Sequence, residues 1–313
     1  MGKAKGHRLH PALAGEALPS DWREHLASPS VLRRLLAQRG VSPRHQWGQN
    51  FLIDGNILRK IVEHCALHPA DVVIEVGAGV GTLTRALGRA AARVVALEID
   101  PALVGVLEEA VADLPAVTVR EADALRVDWA ELLVEARRQA GPGGRVKLAG
   151  NLPYYLTALL LYLWLEEPLD WDMAVVTLQK EAAERLVAGP GSRAYGALSV
   201  LAAVRGGARL VAKVSPGCFF PRPLVWSAVA VLERKGDLHL PPGLTDVLRA
   251  AFGQRRKTLL NALAGSPVAA ARGEAAVLLR EAGVDPGRRA EELSVSEFLA
   301  LAAVLSARRS SPR

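Results

Sequence analysis

Cysteine is scarce in this 313-residue chain, which carries only Cys65 and Cys218. Two thiols cannot build a disulfide framework, and neither falls in a cluster with metal-ligand spacing. The seven histidines are scattered, so no metal site is expected, and a reducing, cytoplasmic setting fits. Long apolar runs are missing too. The longest, Leu156 to Leu165, is far short of the ~20 residues a helix needs to cross a bilayer, so no membrane association is expected. Met1 to Leu13 is polar and basic without an apolar stretch, unlike a secretory leader. Residues 1–20 lack periodicity and read as mobile.

Positive charge, by contrast, is in excess: lysines and arginines outnumber the acids to give a net +7. That balance favours a polyanionic partner and long-range steering toward it. A merely solvated basic surface would explain the number equally well.

From residue 71 strands and helices alternate. Val72 to Val76, Arg93 to Glu98, Ala116 to Val119, Arg145 to Ala149 and Met173 to Leu178 read as strands. Thr82 to Ala90, Pro101 to Ala112, Trp129 to Gln139 and Thr157 to Leu165 read as the helices between them. Such alternation means βαβ units and a parallel sheet with both faces covered. Ala208 to Val214 and Ser227 to Leu232 would close it. Ahead of the sheet, Ser28-Pro29-Ser30 followed by an apolar run and Gly40 predicts a short capped helix. After Lys235 the pattern turns helical. The expected organisation is an N-terminal extension over 1–42, a Rossmann-like α/β domain over 43–235, and a small all-helical domain over 236–313.

The first strand runs into Gly77-Ala78-Gly79-Val80-Gly81. Glycines there let the backbone turn sharply and approach a ligand at a helix N-terminus. The spacing is G-x-G-x-G, whereas the dinucleotide fingerprint places its third glycine one position later. A nucleoside joined to an amino acid fits better than a pyrophosphate, although a structural turn is the plainer alternative. Glu98 ends the second strand, where an acid can accept hydrogen bonds from ribose hydroxyls, and Asp123 follows the third. Ligands of open α/β sheets bind at these strand ends.

The fourth strand leads to Asn151-Leu152-Pro153-Tyr154. The exocyclic amine of adenine is a poor nucleophile because its lone pair is delocalised into the ring. The Asn151 side-chain oxygen and a carbonyl from Leu152 or Pro153 could accept the amine's protons and stabilise the charge that develops as a methyl group transfers. Pro153 stiffens the turn, and Tyr154 offers a ring for an extruded base.

With those motifs in order, the chain resembles the KsgA/RsmA family of ribosomal RNA adenine N6,N6-dimethyltransferases from about Ser42 to Leu305. Gly48 to Asp54, Gly77 to Gly81, Glu98, Asp123 and Asn151 to Tyr154 match its motifs. So do Leu178 to Glu181, Arg185 to Ser192, Ala194 to Val200, Phe219 to Ser227 and Phe252 to Leu259. Trp47 and Tyr155 depart from the residues usual there. The resemblance implies a class I S-adenosyl-L-methionine-dependent methyltransferase sheet. Asn50, Leu52, Gly77, Gly79, Glu98, Asp123 and Asn151 would bind the cofactor. Phe219 would help Tyr154 clamp the target base. The substrate would be 16S rRNA of the immature small ribosomal subunit, dimethylated by a monomeric enzyme at two adjacent adenosines in a hairpin loop near its 3′ end.

Arg222, Arg255, Arg256 and Lys257 are candidates for phosphate contacts, the last three expected at the start of a helix. Two competing readings share these motifs: a 23S rRNA methyltransferase of the Erm type, and a non-catalytic assembly factor. A DNA adenine methyltransferase would more often carry Pro-Pro in its tetrad, and a dehydrogenase fails on the glycine spacing.

Overall fold

The computed structural model describes residues 17–44, 47–236 and 238–310. The expectation of a mobile stretch over 1–20 therefore falls mostly outside the described residues. The described residues divide into two compact units: those up to 160, 169–183 and 209–234 form the first, and 161–168, 184–208 and those from 235 onward the second.

The first unit holds a seven-stranded sheet. Its strands are β2 (Val72–Val76), β3 (Arg93–Glu98), β4 (Val117–Glu121), β5 (Val146–Asn151), β6 (Met173–Gln179), β7 (Ala208–Val214) and β9 (Ser227–Glu233), in the order β4-β3-β2-β5-β6-β9-β7. The first five run parallel, and β9 lies antiparallel to β6 with Gln179 opposite Ser227. The sheet is therefore mixed at one edge and parallel elsewhere. A separate two-stranded ladder pairs β1 (Phe51–Leu52) with β8 (Phe219–Phe220), setting Leu52 opposite Phe219.

Apolar burial explains how helices settle on this sheet. Helix α2 (Gly55–Cys65) presents Ile57, Ile61 and Cys65 at helical spacing, and these pack with Val73, Ala149, Val175 and Val231 of the strands and Leu83 and Leu87 of α3 (Thr82–Gly88). Asp54 caps α2 by accepting from the N–H groups of Asn56 and Ile57. At its other end, Lys147 Nζ donates to the carbonyls of Cys65 and Ala66 at 2.8 Å each and to Asp71 Oδ2 at 2.6 Å, the first and last of these bonds buried. A cation at a helix C-terminus meets the negative end of the helix dipole. Burial works against the Asp71 charge, yet Lys147 and the N–H groups of His68 and Arg145 hold its carboxyl below the usual range.

The helix expected near residue 30 is α1 (Pro29–Gln38), with Ser28 at its N-cap making no side-chain cap bond and Gly40 following at φ 62°. Its Leu32, Leu35 and Leu36 are buried together with Leu103, Val106 and Ala110 of α4 (Pro101–Val111). The remaining helix of the parallel part, α5 (Trp129–Gln139), begins on an Asp128 cap.

The second unit is helical among its described residues. It takes the end of α6 (Thr157–Glu166) and of α7 (Lys180–Val187), then α8 (Ala197–Arg205), α9 (Leu244–Gly253), α10 (Leu259–Leu263), α11 (Arg272–Glu281) and α12 (Val295–Ser310). Buried Arg205 donates to the carbonyls of Leu165 at 2.8 Å and Glu167 at 3.0 Å, closing the free C-terminal end of α6. Tyr195, Phe252 and Phe298 form an aromatic chain through its core, with ring centroids 5.9 and 5.4 Å apart.

Candidate active site

The C-terminal ends of β2, β3, β4 and β5 open on one pocket, where ligands of open α/β sheets bind. Its lining includes Trp47 to Phe51, Gly77, Gly79, Glu98, Asp123, Asn151 and Pro153. Six of the seven residues expected to hold the cofactor therefore converge here. Leu52 sits just beneath, buried in β1 and lining an adjoining cavity with Glu75 and Asn151.

The glycine loop comes close to the fourth strand. Gly77, Gly79 and Gly81 all have positive φ, at 72°, 59° and 89°, where side chains are strained. A Cβ on Gly79 would stand 3.2 Å from the Phe51 ring, and one on Gly77 3.3 Å from Pro153 Cδ. Gly150 is stricter still: a Cβ there would stand 2.4 Å from the Val76 carbonyl. Only glycine lets β5 approach β2 closely enough to place Asn151 beside the loop.

Glu98 is 5% exposed. Its Oε2 accepts from the Gly79 N–H at 2.8 Å, and its Oε1 from those of Ile99 and Asp100 at 3.0 Å each. A carboxylate offers about four acceptor positions, so one on Oε2 remains for a ribose hydroxyl. Burial pushes this carboxyl up, against the pull of those three donors. Asp123 Oδ1 accepts from the Leu125 N–H at 2.9 Å, which turns the loop after β4 back toward the pocket. Beneath the loop, buried Glu75 has an Oε2 with no hydrogen-bond partner; burial, helped by the charge of Glu98, pushes its carboxyl up to about 8.

The tetrad is oriented by its neighbours. Asn151 Nδ2 donates to the Asn50 carbonyl at 2.6 Å, and Asn50 Nδ2 donates to the Gly48 carbonyl at 2.9 Å. Because a carbonyl can only accept, the first bond fixes the Asn151 amide and leaves Oδ1 as its free acceptor. The Pro153 carbonyl is already taken by the Leu156 N–H at 3.0 Å and Thr157 Oγ1 at 3.2 Å. That leaves the Leu152 carbonyl, of the two left open by the sequence, as the candidate acceptor. Tyr154 Oη lies 2.8 Å from Ser227 Oγ, tying the tetrad to the first residue of β9.

Other expected residues sit elsewhere. Phe219 is 2% exposed and packed in the core with Leu52, outside the pocket lining. Arg222 is exposed in the loop after Pro221. Arg255, Arg256 and Lys257 occupy the turn between α9 and α10 rather than a helix start, because α10 begins only at Leu259. Arg255 also holds structure: it donates to the carbonyls of Arg193 at 2.9 Å and Tyr195 at 3.1 Å and pairs with Glu291 at 3.6 Å.

Two residues not anticipated as site components take part. Gln49 Nε2 donates to buried Asp100 at 2.9 Å, anchoring the loop that carries Asn50 to the cap of α4. Tyr155 lies against Gly48, and its hydroxyl is raised by burial and by the charges of Asp123 and Glu98. Neither stands out in sequence beyond its neighbourhood to a motif.

A glycine loop, strand-end acids and a tetrad with an open amide oxygen on this strand order define a class I S-adenosyl-L-methionine-dependent methyltransferase. The chain matches the ribosomal RNA adenine dimethylase family over residues 40–307 and belongs to it. Membership makes it an rRNA adenine N6,N6-dimethyltransferase using S-adenosyl-L-methionine.

Ribosomal RNA small subunit methyltransferase A of Pelotomaculum thermopropionicum is 43% identical over 88% of this chain and 96% of its own length. Its namesake from Anaeromyxobacter sp. is 43% identical over 89% and 98%. Among solved structures, a dimethyladenosine transferase from Plasmodium falciparum superposes with a TM-score of 0.66 at 24% identity, over 80% of this chain and 95% of that one. The 23S rRNA methyltransferase ErmE superposes at 0.60 with 26% identity, over 82% and 100%. Among the described residues no helix is long and apolar enough to cross a membrane.

Proposed function

We propose that the enzyme methylates N6 of two adjacent adenosines in a hairpin loop near the 3′ end of 16S rRNA, within the immature small subunit, and acts as a cytoplasmic monomer. The observation that carries the chemistry is the fixed Asn151 amide, whose Oδ1 is left to face an amine. The choice of small-subunit RNA follows the curated relatives, which carry that substrate in their names over nearly their whole length.

When bound, the cofactor supplies an electrophilic methyl group. Glu98 holds a ribose hydroxyl, Asp123 faces the adenine side, and Gly77 and Gly79 leave room for the amino-acid half. Asn50 closes the near wall, and Leu52 packs beneath it. Asn151 Oδ1 and the Leu152 carbonyl accept both protons of the target amine, which localises its lone pair toward the methyl group and stabilises the developing cation. Pro153 fixes the turn, and the Tyr154 ring stacks on the extruded base. No strong base is needed, since the proton becomes acidic once the nitrogen is cationic. Phe219 supports this arrangement from below, through its register with Leu52; a direct grip on the base would need its ring to leave the core. Arg222, Arg255, Arg256 and Lys257 meet phosphates.

The test is transfer of labelled methyl groups to unmethylated small subunits, to large-subunit RNA and to DNA, with Asn151→Ala as control. Dimethyladenosine in small-subunit RNA, lost in the mutant, is expected. Label in large-subunit RNA would move the enzyme to the Erm type, and cofactor binding without label anywhere would make it an assembly factor.

A further inference from the structure

Between Pro221 and β9 the chain runs Arg222-Pro223-Leu224-Val225-Trp226 along the outside of the first unit. Leu224 is 101% exposed, Val225 43% and Trp226 52%. Three successive apolar side chains in water are a liability unless something covers them. The segment is not loose at its base. The Trp226 carbonyl accepts from the Lys180 N–H at 2.9 Å, just beyond β6, and the next residue is Ser227, whose hydroxyl meets Tyr154. The backbone that carries the half-exposed indole is therefore held one residue away from a contact to the catalytic tetrad. Arg222, exposed in the same segment, adds a cation.

Extruding an adenosine into the tetrad leaves the bases on either side with a newly bare face. An aromatic ring beside the tetrad can cover that face. We infer that Trp226 is a positioning residue for the RNA: its indole stacks on the unpaired nucleobase next to the target adenosine, Leu224 wedges against that nucleotide, and Arg222 meets its phosphate. The inference rests on the functional reading above. Continuity with the tetrad and the accompanying positive charge favour a nucleotide over an apolar protein surface. Stacking is tolerant of base identity, so Trp226 would hold the RNA in register without choosing its sequence.

Two measurements test this. In the first, methylation of unmethylated small subunits is followed for the parent, Trp226→Ala, Trp226→Leu and Trp226→Phe. The Ala and Leu variants should raise KM for the subunit about tenfold, with kcat and cofactor affinity changed less than about twofold, and Phe should restore most of the loss. In the second, a hairpin RNA carries 2-aminopurine beside the target adenosine. Binding should change its fluorescence with the parent and the Phe variant but not with Leu. A Leu variant equal to the parent in both would overturn stacking and point to an apolar protein contact instead. Should the parent methylate no subunit, the functional reading fails, while the fluorescence arm still judges Trp226.

Discussion

At the scale of single residues the site depends on atoms that must be missing as much as on those present. Gly150→Ala would drive a methyl group into the Val76 carbonyl; we expect loss of cofactor binding together with a lowered melting temperature. Gly79→Ala meets only the edge of the Phe51 ring, besides its positive φ, so cofactor affinity should fall at least tenfold with the fold retained, as calorimetry would show. Glu75 offers a test by pH. Its folded carboxyl lies at about 8 against an ordinary 4.5. A group raised in the folded state contributes stability that is full below the unfolded value and lost as pH rises through the folded one. Glu75→Gln removes that linkage. The melting temperature of the variant should therefore gain on the parent between pH 5 and 8, by on the order of a few kcal/mol in stability, and hold the gain above pH 8. A gap that stays constant would refute a raised carboxyl.

At the scale of elements, the buried Asp71–Lys147 pair links the end of α2 to the starts of β2 and β5. Lys147→Met leaves Asp71 without its cation and should cost about 3–5 kcal/mol by chemical denaturation, whereas Lys147→Met with Asp71→Asn should recover much of it. Strands β2, β3 and β6 were legible because unbroken apolar runs between turn signals mark buried strands. Helix α2 escaped the sequence reading, although Asp54 and the Ile57, Ile61, Cys65 spacing carry its signal, because the stretch begins with Gly55-Asn56, poor helix formers. The antiparallel direction of β9 could not be read, since direction depends on which strand end the preceding loop returns to. Phe219 illustrates the same limit within the site: the motif marks its place along the chain, but burial is decided by its pairing with Leu52, 167 positions away.

At the scale of the whole molecule, the net charge of +7 predicts a steep dependence of RNA binding on salt. Replacing Arg256 or Lys257 by Gln should weaken binding and lower the slope of log K against log salt by about one each. Arg255→Gln should do this and also destabilise the second unit, because it releases the carbonyls of Arg193 and Tyr195. An unchanged slope in the Arg256 and Lys257 variants would remove that turn from the RNA surface.

The pairing of β1 with β8 bears on how the protein is made. Leu52 leaves the ribosome early, but its partner Phe219 emerges only after two-thirds of the chain. Until residues 227–233 follow, β6 presents an apolar edge with no strand beside it, open to pairing with other chains. A growing polypeptide thus carries a half-built cofactor wall until Phe219 is made, and a sticky flank from the completion of β6 until that of β9. Translation pauses or premature stops before residue 233 should yield fragments that seek out chaperones rather than inactive but well-behaved enzyme.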